Sequence, residues 1–393
     1  MASRVPPIST LALIALASLA ACGDDGATSA VRLDTTVGAD VVGADVTAPS
    51  DTVRPGLDTV AVGTDVGPAA LVGLKDDPDW IVPGGVVART AVAVAGTRVA
   101  WVEAPADANP ELVVWDTALP DTAPVAYRVP NLAHPRELAL GDAALVYVDD
   151  RYGDADLFAV DLASGAEQAL VTRPGAQEHP TLVGAALAWA DCRACVSGDG
   201  GGGREIFRRA LDGVEQRVTS DAVADDRPTL GTLADGTLAL AWVNGDTQIR
   251  VVGVGTDATL DTGRSVAGVA LTQGVIAFRP PPLIINPDSM RPTDLRLWNV
   301  ASGEVRAATF HAELAPGMDP VPRAADGRFA WIDGVPGAPA QAQLTVADPE
   351  GAADLTASVA GAVTAAVSGA RVAILAPRAD NDGLLDLWIR ELP

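Results

Sequence analysis

The chain has 393 residues, more than one core of about 250–300 usually holds, so it is either a large domain with appendages or a repeat array. Hydrophobic residues make up 48%, enough for a sizeable core, and 51 acidic against 27 basic residues give a net charge of −24, which repels phosphate backbones and excludes nucleic acid as an expected partner. Three Cys and three His exclude a disulfide-stapled or metal-dense domain.

At the N-terminus Arg4 precedes an apolar run from Ile8 to Ala21, with small residues before Cys22. The run is too short for a bilayer core, which needs about 20 residues. It is therefore expected to be an export signal, residues 1–21, rather than a membrane span. Leu19-Ala20-Ala21-Cys22 resembles the lipobox of bacterial lipoproteins. The resemblance implies cleavage before Cys22, a diacylglycerol on its thiol and acylation of its amine, so the membrane is an expected partner through Cys22. Gly23 rather than Asp follows, which by likeness to enterobacterial sorting implies the outer membrane. The alternative is an ordinary signal cleaved after Ala-x-Ala.

Residues 22–74 consist of near-repeats such as DTTVGADVVGADVTAPSDTV, without an aromatic residue or apolar periodicity. Such composition predicts a disordered tether with a span of about 40 Å. A small β domain is the alternative, since Val and Thr favour strands.

After Lys75 one motif recurs: a short turn, an apolar run ending in an aromatic, a loop, then a second strand ending in Asp. The first-strand aromatics are Trp101, Tyr147, Trp189, Trp242, Phe278 and Trp331, with Leu375 in the seventh copy. Their spacing averages about 46 residues, within the range of propeller blades. Residues 75–393 therefore read as an all-β, seven-bladed β-propeller, each blade running from an inner strand A to an outer strand D. The last copy stops after its third strand, and Trp80-Ile81-Val82 is expected to supply the fourth and close the ring. VDDRYGDADLFAVDLASGAEQALVT followed by HPTLVGAALAW resembles the TolB-like family of propeller repeats. That family includes protein-binding envelope scaffolds, propeller halves of peptidases and polysaccharide lyases, so the resemblance implies a fold but not a function.

In a propeller the D–A and B–C connections share one face. Here the A–B turns are minimal while the B–C loops are long and varied, as in DCRACVSGDGGGG and RPPPLIINPDSMRPT, so this face is where binding is expected. His134, His179 and His311 fall in D–A connections, with Arg227 and Asp319 in corresponding places before Pro. These residues could ring the channel mouth and hold a metal or move a proton; alternatively, His-Pro is a repeat feature serving local backbone groups. Cys192 and Cys195 form a C-x-x-C for which a structural disulfide is expected after export, a redox pair or half a zinc site being the alternatives. Asp380, Asp382 and Asp386 resemble a Ca²⁺-loop fragment, and Asp149, Asp150, Asp154 and Asp156 occupy the same place in blade two. Arg378 stands where a first ligand belongs, and a solvated turn explains both loops. No cofactor is expected.

The expectation is a monomeric, lipid-anchored envelope scaffold that binds a protein or glycan without catalysis, because no acid, base and nucleophile converge. The rival is a polysaccharide lyase or hydrolase using His134 and His179 at the channel mouth, with or without a metal.

Overall fold

The computed structural model describes residues 79–393 apart from 83–86, 106–107, 196–202, 281–283, 287–288, 291–293, 310–317, 336–337 and 379–383. Cys22, His311, Asp380, Asp382 and the segments 1–21 and 22–74 lie outside the described residues.

Seven antiparallel sheets follow one another along the chain, six with four strands and one with three, and no α-helix occurs among the described residues. Blade two is representative, with strand A at Arg136–Leu140, B at Ala144–Asp149, C at Asp156–Asp161 and D at Glu167–Val171. Blade five adds a small hairpin, Ile284–Asn286 with Ser289–Met290, inside its B–C loop. The apolar stretch that ends the chain is not one long element: Thr364–Ser368 and Arg371–Pro377 pair as a hairpin.

Seven apolar clusters fill the seven gaps between neighbouring blades, and the alternation of strand B explains them. Side chains along a strand point to opposite faces of the sheet. In blade three Leu187 and Trp189 therefore face blade two, packing with Val146, Val148 and Leu157. Ala188 and Ala190 face blade four, leaving room for its Leu240 and Trp242. Large residues on one face and small on the other let each blade seat its aromatic against the blade before it. Blade seven corrects one expectation. Ile374, not Leu375, faces blade six, while Leu375 packs against Val99 and Trp101 of blade one. A shift of one residue exchanges the two faces of a strand, so the copies align one position away from the sequence match.

The ring closes as expected. Ile81 exchanges two backbone hydrogen bonds with Ile389 of the third strand of blade seven, at 2.8 and 2.9 Å. Trp80 is buried between blades six and seven, and Arg390 pairs with Asp79 at 3.4 Å. Ile81 runs antiparallel to its partner, from the side of the C–D turns toward the side of the long loops. Asp79 thus lies toward the face with the short turns.

Candidate functional site

In blades one, two, three and six strand B ends at the loop-rich face with an aromatic followed two residues later by an acid. A buried indole N–H needs an acceptor, and the acid supplies it: Trp101 donates to Glu103 at 3.1 Å, Trp189 to Asp191 at 3.0 Å and Trp331 to Asp333 at 2.8 Å. In blade four Asn244 takes the acid's place, and Trp242 donates instead to Asp225 at 2.7 Å. Arginines then brace the loops of blades two and three. Arg151 lies over Phe158 at 4.1 Å and binds Asp149 and Glu167. Arg193 lies over Phe207 at 4.2 Å and binds Asp191 and Glu215. The long loops therefore start from rigid bases.

Inside this rim the inner strands of blades two, three and four carry equivalent bulges. Glu137, His179 and Arg227 occupy the bulge positions with φ of 52°, 57° and 53°, a left-handed conformation that costs a non-glycine residue about 1–3 kcal/mol. The bulge frees the backbone N–H of His179, which donates to Glu137 Oε2 at 2.6 Å across the gap between blades. Six side chains then close a ring. Arg136 meets Glu178 at 3.4 Å, Glu178 meets Arg204 at 2.5 Å and Arg204 meets Asp226 at 3.2 Å. Asp226 lies 3.6 Å from His179 Nε2, His179 Nδ1 lies 3.4 Å from Glu137, and Glu137 returns to Arg136 at 4.0 Å. When His179 carries a proton, the charges alternate around the whole ring. Burial alone would push the Glu137 acid up; hydrogen bonds and charge from His179, with Arg136 adding, hold it well down, at about 2.

His134 lies just before the inner strand, in the D–A connection, and pairs with Asp150 at 2.8 Å on the exposed rim, whereas His179 and Arg227 lie inside their inner strands, Gln177–Val183 and Asp225–Thr232, so the expected equivalence of His134 and His179 does not hold. The bulge, not the His-Pro dipeptide, sets the equivalence, so Glu137 rather than His134 matches His179. Arg227 does share the His179 position. Asp319 does not. It bonds Arg323 at 2.7 Å and accepts from Thr364 at 3.2 Å, tying blade six to blade seven. Arg136, Glu137, Glu178, Arg204 and Asp226 were not singled out in the sequence. Glu137 and His179 each stand ten residues before the aromatic of the next strand, Tyr147 and Trp189, a spacing that would have revealed them.

Cys192 and Cys195 are joined by a disulfide in the blade-three loop, within a turn closed by the Cys195 N–H donating to the Cys192 carbonyl at 2.9 Å. Asp386 is held by Arg378 at 3.2 Å and by Arg89 at 3.7 Å. Among the described residues, no three His, Cys, Asp or Glu side chains stand together as a set able to hold a metal ion. A buried pair, Arg279 with Asp333, stitches blade five to blade six; burial pushes the arginine down and the acid up, and each is opposed by the other's charge. A cleft of about 330 Å³ lies apart from the ring, lined by Val114, Leu119, Val125, Tyr127 and Leu162 where blade one meets blade two on the short-turn side.

No family model and no curated protein matches the sequence. Solved structures do resemble the backbone. The β-propeller domain of the Trilobed protease from Pyrococcus furiosus, reported with an open velcro topology, is 11% identical, with a TM-score of 0.51 over 77% of this chain and 93% of that one. An acylaminoacyl peptidase from Pyrococcus horikoshii is 11% identical, with a TM-score of 0.51 over 78% of this chain and 52% of that one. TolB from Acinetobacter baumannii is 16% identical, with a TM-score of 0.44 over 67% of this chain and 64% of that one. The chain thus spans less than two thirds of the TolB and peptidase chains. At such identities the likeness establishes the fold alone: this is a seven-bladed β-propeller of the kind found in peptidase propeller domains.

Proposed function

We propose that the chain is an exported lipoprotein, held at the outer membrane through acylated Cys22, whose propeller binds a protein or glycan of the cell envelope without catalysis. Residues 1–21 are then a cleaved signal, 22–74 a tether and 75–393 the binding domain. The observation that carries this is the set of bulges at Glu137, His179 and Arg227. Three blades keep a strained backbone with charged or titratable residues where glycine would relieve it, and such strain gathers at functional sites. The ring they build spends its charges on one another, which suits a preorganised platform better than acid–base turnover.

Photo-crosslinkers placed in cells at Tyr152 and Arg227 on the loop-rich face, and at Asp142 and Asp235 in the short A–B turns, test this. A discrete adduct is expected only from the first pair; adducts only from the second pair would overturn the assignment. Cys22→Ala should move the protein from the membrane to the soluble fraction, and unchanged fractionation would refute the anchor. A second reading, acid–base catalysis by His179, is favoured by the position of its ring between Glu137 and Asp226. It predicts turnover of acidic glycans that His179→Ala abolishes.

A further inference from the structure

The B–C loops of blades two and three begin with the same turn. It is Asp149-Asp150-Arg151-Tyr152-Gly153 in one and Asp191-Cys192-Arg193-Ala194-Cys195 in the other. Oδ1 of the first acid accepts from the backbone N–H two residues on, Arg151 at 3.0 Å and Arg193 at 2.9 Å. The N–H of the fifth residue donates to the carbonyl of the second, at 2.9 Å in each copy. The arginine lies over the phenylalanine of strand C, at 4.1 Å and 4.2 Å, and pairs with the first acid. It also reaches a glutamate, Glu167 or Glu215, at 2.9 Å in both blades. One covalent feature separates the copies: blade three carries the Cys192–Cys195 disulfide where blade two has Asp150 and Gly153.

Blade two therefore serves as an internal control. Hydrogen bonds, ion pairs and the arginine–aromatic contact hold the turn there without a disulfide. The Cys192–Cys195 link also spans a sequence separation of only 3, and the chain entropy a disulfide removes from the unfolded state grows with the loop it closes. The disulfide is thus redundant for the fold. It is also within reach of solvent, since Cys195 is exposed and Cys192 partly exposed. Exposed disulfides are the labile ones, because exchange needs access for an attacking thiolate. A link that its turn does not need, placed where a thiolate can attack it, is built for exchange.

We propose that Cys192 and Cys195 form a thiol–disulfide exchange site whose partner is a protein dithiol. A thiolate of the partner attacks Sγ of the exposed Cys195. The Cys192–Cys195 bond breaks, and its electron pair leaves on Cys192 Sγ, which takes a proton from water. The partner's second thiolate then attacks the partner's own sulfur in the mixed disulfide, and Cys195 Sγ leaves with that electron pair and is protonated in turn. This chain gains two electrons and two protons, and the partner is left as a disulfide. A dithiol is specified because a monothiol brings no second thiolate. Its mixed disulfide at Cys195 faces Cys192 within the same turn, which expels it and restores the original bond. Since the turn stands without the disulfide, the loop keeps its shape in both states. The site rests on the fold and stands whether or not the proposed scaffold function does.

The test gives dithiothreitol, as the probe dithiol, to the full chain near neutral pH, folded or unfolded in urea. Thiols are alkylated at intervals and mapped by peptide mass spectrometry, which separates Cys192 and Cys195 from Cys22. The folded chain should be reduced within about a hundredfold of the unfolded rate, because a disulfide reached only through unfolding is slower by about 10³ or more. Oxidised glutathione given to the reduced wild type should restore the disulfide, whereas Cys192→Ser should keep a lasting glutathione adduct on Cys195. The double variant Cys192→Ser, Cys195→Ser should melt within about 4 °C of wild type, less than the loss of a structural disulfide brings. The proposal fails if reduction of the folded chain is slower than that limit, if wild type holds glutathione as long as Cys192→Ser does, or if the double variant melts lower than that margin.

Discussion

Closure of the ring by the N-terminal strand can be broken with one substitution, Trp80→Ala. The side chain is 7% exposed and packs with Met318, Ala362 and Leu392 in the gap between blades six and seven. Truncating a buried Trp costs about 3–5 kcal/mol. Among the described residues the indole N–H of Trp80 has no acceptor, so the expected cost falls at the low end, about 3 kcal/mol. At about 2–4 °C per kcal/mol for large domains this lowers the melting temperature by about 6–12 °C. Losing the strand would also expose the edge of Leu385–Glu391, so heating should bring concentration-dependent scattering. Ile81 separates backbone from side chain. It is 46% exposed, so Ile81→Ala should stay within about 0.5 kcal/mol of wild type, whereas Ile81→Pro removes the N–H that donates to Ile389 and should cost about 1–3 kcal/mol. Differential scanning calorimetry decides. If Trp80→Ala melts within a degree of wild type, or Ile81→Ala falls as far as Ile81→Pro, the ring does not depend on this strand.

Two further outcomes follow from the buried charges. Glu137 is held at about 2 against an ordinary 4.5, so its ionised form contributes stability that is complete above about 4.5 and is lost as the pH falls through about 2. His179→Gln removes the charge that lowers this acid while its burial remains, so acid unfolding should begin at a higher pH, with up to about 2 kcal/mol lost after allowance for screening at this partly exposed ring; circular dichroism across an acid titration checks it, and equal midpoints would refute it. Breaking the buried pair through Arg279→Met or Asp333→Asn should cost about 3–5 kcal/mol, because each leaves an uncompensated partner. The double variant Arg279→Met, Asp333→Asn, whose amide oxygen still accepts from Trp331, should recover much of that loss in urea denaturation, and equal losses in single and double variants would contradict the argument.

The fold was legible because its information is periodic. A large residue, a small one and an aromatic recur on strand B at blade spacing, and the physical need behind them, filling a gap on one side while leaving room on the other, is visible in the letters. The closing strand was legible for a similar reason, since a blade one strand short needs an edge partner and Trp80-Ile81-Val82 matched the ends of other D strands. Blade seven misled by one residue because Leu375 and Ile374 are both apolar, and only the pairing of Ser368 with Arg371 fixes which faces blade six. The site was legible only in part. His179 and Arg227 precede Pro and drew notice, but His134 precedes Pro too and lies outside the inner strand. Position in the bulge is set by backbone pairing, and no single residue type marks it: Glu, His and Arg share the conformation.

The same limit explains why the ring stayed hidden while the indole–acid pairs could have been read. A Trp and the acid two residues later lie on one strand face, so their contact follows from local geometry. The ring joins Arg136, Glu178, Arg204 and Asp226 from three blades: Arg136 meets Glu178 where two bulged strands come together, and Arg204 reaches Glu178 and Asp226 from just before Glu205–Ala210. Outside the ring, single methylenes matter as well. Glu205 reaches its donors in blade three, and Asp156 at the equivalent place in blade two does not, although both are acids at the start of strand C. Repeats therefore reveal a frame by what they share. Chemistry arises where one copy departs from the others, and this propeller concentrates those departures on the loop-rich side of blades two to four.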